Sequence, residues 1–391
     1  MNMKRFSHVW ACIVVLGVLA FGQGRPTTEY ADAIAKSEEA MQKLVASGTP
    51  GASIAVAVNC EVVWSEGFGY ADVEAQKKAT ADTQFGLGSI TKALTAALYG
   101  KFVEKGLVEW DVPVQRYLPE FPDKEVTARM LAGHTSGLAD DFNNANRLTT
   151  RHYTTREAMR EITKPPLRHA AGTAYYYGTT TYTVLADVLE RETGKSFDEL
   201  MRAELLVSLG MDSTVVNTGP PGQSATKSVF YERTGEGKII RTPAYDPSFK
   251  LAGAGYLSTA ADVARFGSAM LPCGRGLSQQ VRAELWRPVR LKDGTSPVTG
   301  TGESMEVKDT GIALGWNIAE DKNGRRVMHQ PGGGPGISSW LVVYPDAGMV
   351  VAILSNRTSA PVGGASLQTT LESFLSATSG ASSITARSEH F

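Results

Sequence analysis

The 391-residue chain is long enough to bury a large core, and 42% hydrophobic with 20% charged residues mark a folded, enzyme-sized protein and exclude general disorder. Lys and Arg number 39 against 40 Asp and Glu, so the formal charge of −1 leaves no net field to hold nucleic acid or an anionic membrane surface.

Lys4 and Arg5 run into an apolar stretch, Val9 to Phe21, and Ala20-Phe21-Gly22 then puts small residues at the two positions a signal peptidase checks. Residues 1–22 are expected to leave as a signal peptide, since the stretch falls short of the ~20 residues a spanning helix needs. The mature chain is therefore expected to be periplasmic or secreted, with no stable membrane insertion. Cys12 leaves with the leader. Cys60 and Cys273 remain with no short metal spacing around either, so neither a metal site nor a required disulfide is predicted.

Tyr30, Ile34, Met41 and Leu44 recur at helical spacing and Gly48 stops them, predicting an opening helix. Ala52 to Val58 and Val62 to Phe68 are β-rich runs joined tightly by Asn59, Cys60 and Glu61, the pattern of adjacent antiparallel strands. From Ser89, the residues Ile90, Leu94, Leu98 and Phe102 fall four apart on one helix face, ended by Gly106. Tyr182, Leu185, Val188 and Leu189 outline a helix stopping at Gly194. Ser196 with Glu199 forms a capping box for the next, and Thr259 with Asp262 caps another. Strands return at Ser338 to Tyr344 and Met349 to Leu354, joined across Pro345 to Gly348, before a last helix around Leu367 to Leu375.

This order predicts an α/β (α+β) fold, with an antiparallel sheet built from both chain ends, flanked by helices and interrupted by a mostly helical region. One domain is expected over 23–378, with a sheet lobe at about 28–120 and 240–378, a helical lobe at about 121–239, and a flexible tail from 379.

Ser89-Ile90-Thr91-Lys92 places a hydroxyl at the first turn of a helix and an amine nearly one full turn later, on the same face. A serine hydroxyl attacks only when a neighbouring base takes its proton, and a helix N-terminus offers N–H groups to a developing oxyanion. An N-capping serine with a solvated lysine has the same spacing, so the surroundings must decide.

Those surroundings are Phe85-Gly86-Leu87-Gly88 before Ser89, then Leu131 to Leu138 with His134-Thr135-Ser136-Gly137 at its centre, Leu209 to Thr214, and Ala252 to Thr259. In this order they resemble the active-site segments of the serine β-lactamase and penicillin-binding superfamily. The likeness runs from about Gly51 to Asn356. It is strongest to the branch of a mitochondrial serine β-lactamase-like protein, through Val63 to Glu74 and Pro113 to Pro122.

No residue cluster implies a metal or organic cofactor. The resemblance implies a serine hydrolase that forms an acyl-enzyme and acts on a small-molecule or peptide substrate. It makes Ser89 the nucleophile and Lys92 its proton acceptor. By register within Gly172 to Tyr182 it also selects Tyr177 from three consecutive tyrosines to complete the proton relay. Tyr177-Gly178-Thr179 stands where most of the family has Tyr-x-Asn, and Thr179 is taken as a substrate-side residue. Gly332 to Gly336 resembles the glycine-rich third motif, whose glycines let substrate lie against a strand edge. The cation that precedes them in the family is displaced: Gln330 stands in its register and His329 one residue early, and either is a candidate contact with substrate, together with Gly332 and Gly333. His134 is expected to be a loop histidine bonded to backbone.

The amide, β-lactam or ester bond cleaved is left open, because loops around such a site choose the substrate while the same nucleophile serves all. Two alternatives use the same fold: a catalytically silent binding or structural protein, and a penicillin-binding sensor that acylates without turnover.

Overall fold

The computed structural model describes residues 28–218 and 226–388, so the expected leader lies outside the described residues. Helix α1 (Ala31–Ala46) buries Ile34, Met41 and Leu44, and Gly48 follows with φ +97°, a backbone state that costs glycine little. Strands β1 (Gly51–Val58) and β2 (Glu61–Asp72) form the expected antiparallel hairpin. Its turn residues, Asn59 and Cys60, adopt φ of 49° and 68°, matching the left-handed pair that a two-residue hairpin favours.

Strand β3 (Lys77–Lys78) extends that hairpin. After it come β4 (Phe85–Gly86), β5 (Val215–Val216), the pair β6 (Tyr231–Arg233) and β7 (Ile239–Arg241), and β8 (Tyr256–Ser258), with β8 between β4 and β5 in a small second sheet. The C-terminal part supplies β9 (Lys308–Ala313), β10 (Trp316–Glu320), β11 (Arg326–Gly334), β12 (Ile337–Tyr344) and β13 (Met349–Ser355). The main sheet has eight strands in the order β3-β2-β1-β13-β12-β11-β10-β9, so the first hairpin and the last strands meet at β1 and β13.

Both faces of this sheet are covered. Helix α2 (Ile90–Glu104) is followed through the helical region by α3 (Ala128–Ala132), α4 (Asp141–Ala145), α5 (Thr155–Ile162), α6 (Thr181–Thr193), α7 (Phe197–Leu200) and α8 (Val207–Leu209). Beyond that region lie α9 (Leu251–Ala254), α10 (Ala260–Ala269), α11 (Gln279–Leu285) and α12 (Ala365–Ser388). Helix α10 lies against β1, β2, β12 and β13 on one face, and α2 meets β11 and β12 on that face while packing on α6, α9 and α11; α1 and α12 cover the opposite face. Along β13, Val350, Ala352 and Leu354 therefore enter the core shared with α2 and α10, while Met349, Val351 and Ile353 enter the core shared with α1 and α12. Strands buried on both sides read as mostly apolar runs without polar alternation, as β1, β12 and β13 do, broken only by buried serines.

Three expectations change. The last helix starts at Ala365 and continues to Ser388, through residues expected as a tail. Strands β9 to β11, which no clear alternation announced, form the far edge of the sheet. Finally, Cys60 and Cys273 are joined in a disulfide. Their separation of 213 residues hid a proximity that folding creates, because α10 packs on β1 and β2 and delivers the segment after it to the β1–β2 turn. In the chain-entropy picture a loop of that size contributes about 5 kcal/mol by constraining the unfolded chain. Among the described residues no helix is long and apolar enough to cross a membrane.

Candidate active site

The loop before α2 is fastened on two sides. The Leu87 N–H donates to the Tyr256 carbonyl at 2.9 Å, and Ser339 Oγ on β12 donates to the Leu87 carbonyl at 2.7 Å. Gly88, at φ +51°, meets β11 so closely that a Cβ there would sit 2.6 Å from the Gly333 nitrogen. A side chain at this position would push the strand away from Ser89.

Ser89 stands at the N-cap of α2, yet its side chain makes no capping hydrogen bond. The hydroxyl is instead held by two other groups: Lys92 Nζ donates to it at 2.9 Å and the Tyr177 hydroxyl at 2.7 Å. Lys92 has no exposed surface, which removes the solvated-lysine alternative. Its ammonium also donates to the Gly253 carbonyl at 3.1 Å and to Thr179 Oγ1 at 3.4 Å, and it lies 4.8 Å from the centre of the Tyr177 ring. Thr179 is thus a buried partner of Lys92.

Of the three consecutive tyrosines, Tyr177 brings its hydroxyl to Ser89. Tyr175 packs edge-on to His134 and Tyr176 stacks with Arg168. Tyr177 keeps 40% of its surface exposed, so the Ser89 hydroxyl lies between a buried amine and a phenol open to solvent. His134 is buried with its ring 4.4 Å from that of Tyr177, and its Nδ1 accepts from the Gly178 N–H at 3.3 Å. Burial, reinforced by the nearby Lys92 charge, pushes its imidazole well below its ordinary value, which keeps it neutral and suited to accept that backbone bond.

Asp140 was not singled out in the sequence. Its Oδ1 accepts from the N–H groups of Thr179 and Thr180, both at 3.0 Å, and from Thr180 Oγ1 at 2.7 Å. Thr180, the N-cap of α6, makes no capping bond of its own because its hydroxyl is given to Asp140. A threonine pair opening a helix without an acidic partner nearby in sequence was the only signal for it.

The third motif resolves by strand alternation. The β11–β12 register runs without a shift from Met328 to Gly334, so no bulge turns His329 around. His329 sits opposite Val342, on the α1/α12 side of the sheet, stacked on Trp340 at 5.5 Å and with Nε2 2.7 Å from Asp309 Oδ1. It does not reach Ser89. Burial raises the Asp309 carboxyl, but hydrogen bonds from His329 and Thr299 together with the imidazole charge outweigh it and hold the group at about 2.

Gln330 takes the other face, opposite Leu341, buried and donating to its own neighbour's Pro331 carbonyl at 3.0 Å. Strand β10 pairs with β11 only as far as His329, so Gln330 to Gly334 leave an open edge on that side. Gly333 has nothing within 4 Å of where a Cβ would stand, while a Cβ on Gly332 would strike the Leu87 carbonyl. The glycine run thus brings a bare strand edge beside Ser89.

The chain matches the family described as Beta-lactamase over residues 37–375. The serine beta-lactamase-like protein LACTB, mitochondrial, of Bos taurus is 28% identical, with 88% of this chain and 80% of that protein covered. Among solved structures, D-amino acid amidase from Ochrobactrum anthropi superposes with TM-score 0.76 at 21% identity, covering 88% of this chain and 99% of the amidase. The octameric penicillin-binding protein homologue from Pyrococcus abyssi gives 0.71 at 23% identity, covering 84% and 74%. At those identities the two structures speak for the fold alone.

Proposed function

The chain belongs to the beta-lactamase family and is a serine hydrolase, and from that premise we propose an exported enzyme that cleaves an amide, lactam or ester through an acyl-enzyme on Ser89. The observation that carries this reading is the Ser89 hydroxyl held at 2.9 Å by Lys92 and 2.7 Å by Tyr177. Ser89 Oγ attacks the carbonyl carbon while its proton passes to Lys92 or Tyr177, and the pair returns a proton to the departing nitrogen or oxygen. Water then attacks the acyl carbon, releasing the acid and restoring the hydroxyl. The oxyanion is assigned to the Ser89 N–H and one N–H of the adjacent glycine run.

Gln330 bears on the substrate. It carries no charge where relatives carry a cation, so neutral amides and esters are favoured over penicillins, whose carboxylate would meet only a hydrogen-bond donor. Export is supported by the leader-like sequence of residues 1–22 and by the Cys60–Cys273 disulfide, which suits an oxidising compartment.

The test is intact-mass spectrometry with a penicillin and, separately, a fluorophosphonate, on wild type and Ser89→Ala, followed over time. An adduct lost in Ser89→Ala supports the nucleophile, and its decay separates hydrolase from sensor. No adduct with either reagent would sink the reading. The same spectrum gives the N-terminus, where a mass beginning at Gln23 supports leader removal.

A further inference from the structure

Two walls hold the Lys92 ammonium, Thr179 on the loop before α6 and the Gly253 carbonyl in α9. They come from distant parts of the chain and meet directly, since a Cβ on Gly253 would lie 2.3 Å from the Thr179 carbonyl oxygen, and Thr183 Oγ1 of α6 donates to the Phe249 carbonyl at 2.9 Å. A second polar chain lies behind them. At its centre the buried Asp140 collects two N–H groups and a hydroxyl from Thr179 and Thr180 on Oδ1, while Asn143 Nδ2 donates to its Oδ2 at 2.8 Å. Asn143 Oδ1 in turn accepts from Lys250 Nζ at 3.1 Å. Lys250 is itself buried and immediately precedes α9, the helix that contains Gly253.

We propose that Asp140 is a positioning residue which, through Asn143 and Lys250, clamps the Tyr177–Thr179 loop in its contact with α9 and so holds Tyr177 and Lys92 on the Ser89 hydroxyl. The proposal rests on the reading of Ser89 as nucleophile. Three features favour it over a plain helix cap. Asp140 bonds the backbone of Thr179, the residue whose side chain meets Lys92, as well as that of the α6 N-cap. The chain ends on a buried lysine at the opposite wall, where a solvent-facing cap would need no partner. The negative carboxylate also lies among buried cations, which suits the desolvated Lys250: burial, then the Lys92 charge, lower its amine to about 8, and Asp140 acts against both.

The experiment compares wild type, Asp140→Asn and Asp140→Ala in fluorophosphonate acylation rate, in kcat and KM on a p-nitrophenyl ester, and in melting temperature. Displacing catalytic groups by a fraction of an ångström to an ångström costs up to roughly 10²-fold in rate. Asp140→Ala is therefore expected to slow acylation and kcat by about 30- to 100-fold with KM within about threefold, beyond any fraction lost to unfolding. Asp140→Asn keeps an oxygen for the three donors but loses the charge and faces Asn143 with an amide, so it is expected to recover part of the rate, to about tenfold below wild type. Wild-type acylation by folded Asp140→Ala would overturn the proposal, and should that variant not fold, wild-type acylation by Asp140→Asn would do the same. Absence of an adduct on the wild-type enzyme would overturn the nucleophile reading as well, a result distinct from either.

Discussion

Lys92 and His329 are both basic side chains without exposed surface, one on each side of the central sheet, and their partners differ in kind. Lys92 is surrounded by neutral oxygens, those of Ser89, Thr179 and Gly253, and among the described residues no carboxylate lies within ion-pair distance of it. His329 faces Asp309, a buried carboxylate further held by Thr299 and the Gly302 N–H. A cage of neutral acceptors orients an amine without a counter-charge beside it. A buried, hydrogen-bonded histidine–carboxylate pair fixes a strand. The comparison separates the side to which the proposed proton exchange belongs from one held by a buried charged acceptor.

The largest effect should come from breaking the first side. Lys92→Met is expected to slow fluorophosphonate acylation by roughly 10³-fold or more, as loss of a nucleophile's base does. Its melting temperature should hold or rise, since the substitution replaces a buried amine that has no ionic partner with an apolar chain of similar length. A variant that acylates normally would erase the contrast. Tyr177→Phe should cost about 10²-fold in the same assay while leaving thermal melting near wild type, because the lost hydroxyl sits on a ring that is partly exposed.

On the other side the signs reverse. His329→Ala should leave acylation within about threefold of wild type but lower unfolding free energy in urea by about 3 kcal/mol, the cost of stranding a buried carboxylate. Impaired acylation in a folded His329→Ala would return this histidine to the substrate side.

The smallest effect is in acid. Asp309 titrates at about 2 folded against an ordinary 3.8, so the unfolded chain takes up this proton first as pH falls. The contribution, about 2 kcal/mol, is complete above pH ~4 and is lost as pH falls through about 2. Urea midpoints measured across that window should lose this component of their slope in Asp309→Asn.

Much of this is legible in the sequence. The spacing of Ile34, Met41 and Leu44, the glycine stops at Gly48, Gly106 and Gly194, the Ser196–Glu199 capping box and the Thr259 cap describe local chain physics, and the elements formed where those signals stood. Ser89, Lys92 and Tyr177 carried motif and register, and the fold brings the three together. What stayed hidden depends on partners far away in sequence. Asp140 gains meaning only when Thr179 folds against it, and Cys60 only when α10 brings Cys273 to it. The choice between His329 and Gln330 turns on strand alternation, where a shift of one residue exchanges the two faces of a sheet. Strands β9 and β10 escaped notice because their burial is uneven along their length.

The meeting of β1 with β13 has a consequence for biosynthesis. As the chain emerges from the ribosome, the first hairpin presents a largely apolar strand whose inner edge has no neighbour, and the strand that completes it begins only at Met349. Every other β-element is made before that gap is filled, so the decision to fold falls to the C-terminal end of the chain. A premature stop before Met349 would leave β1 and β12 as two open hydrophobic edges, yielding an aggregation-prone fragment in place of a smaller working enzyme.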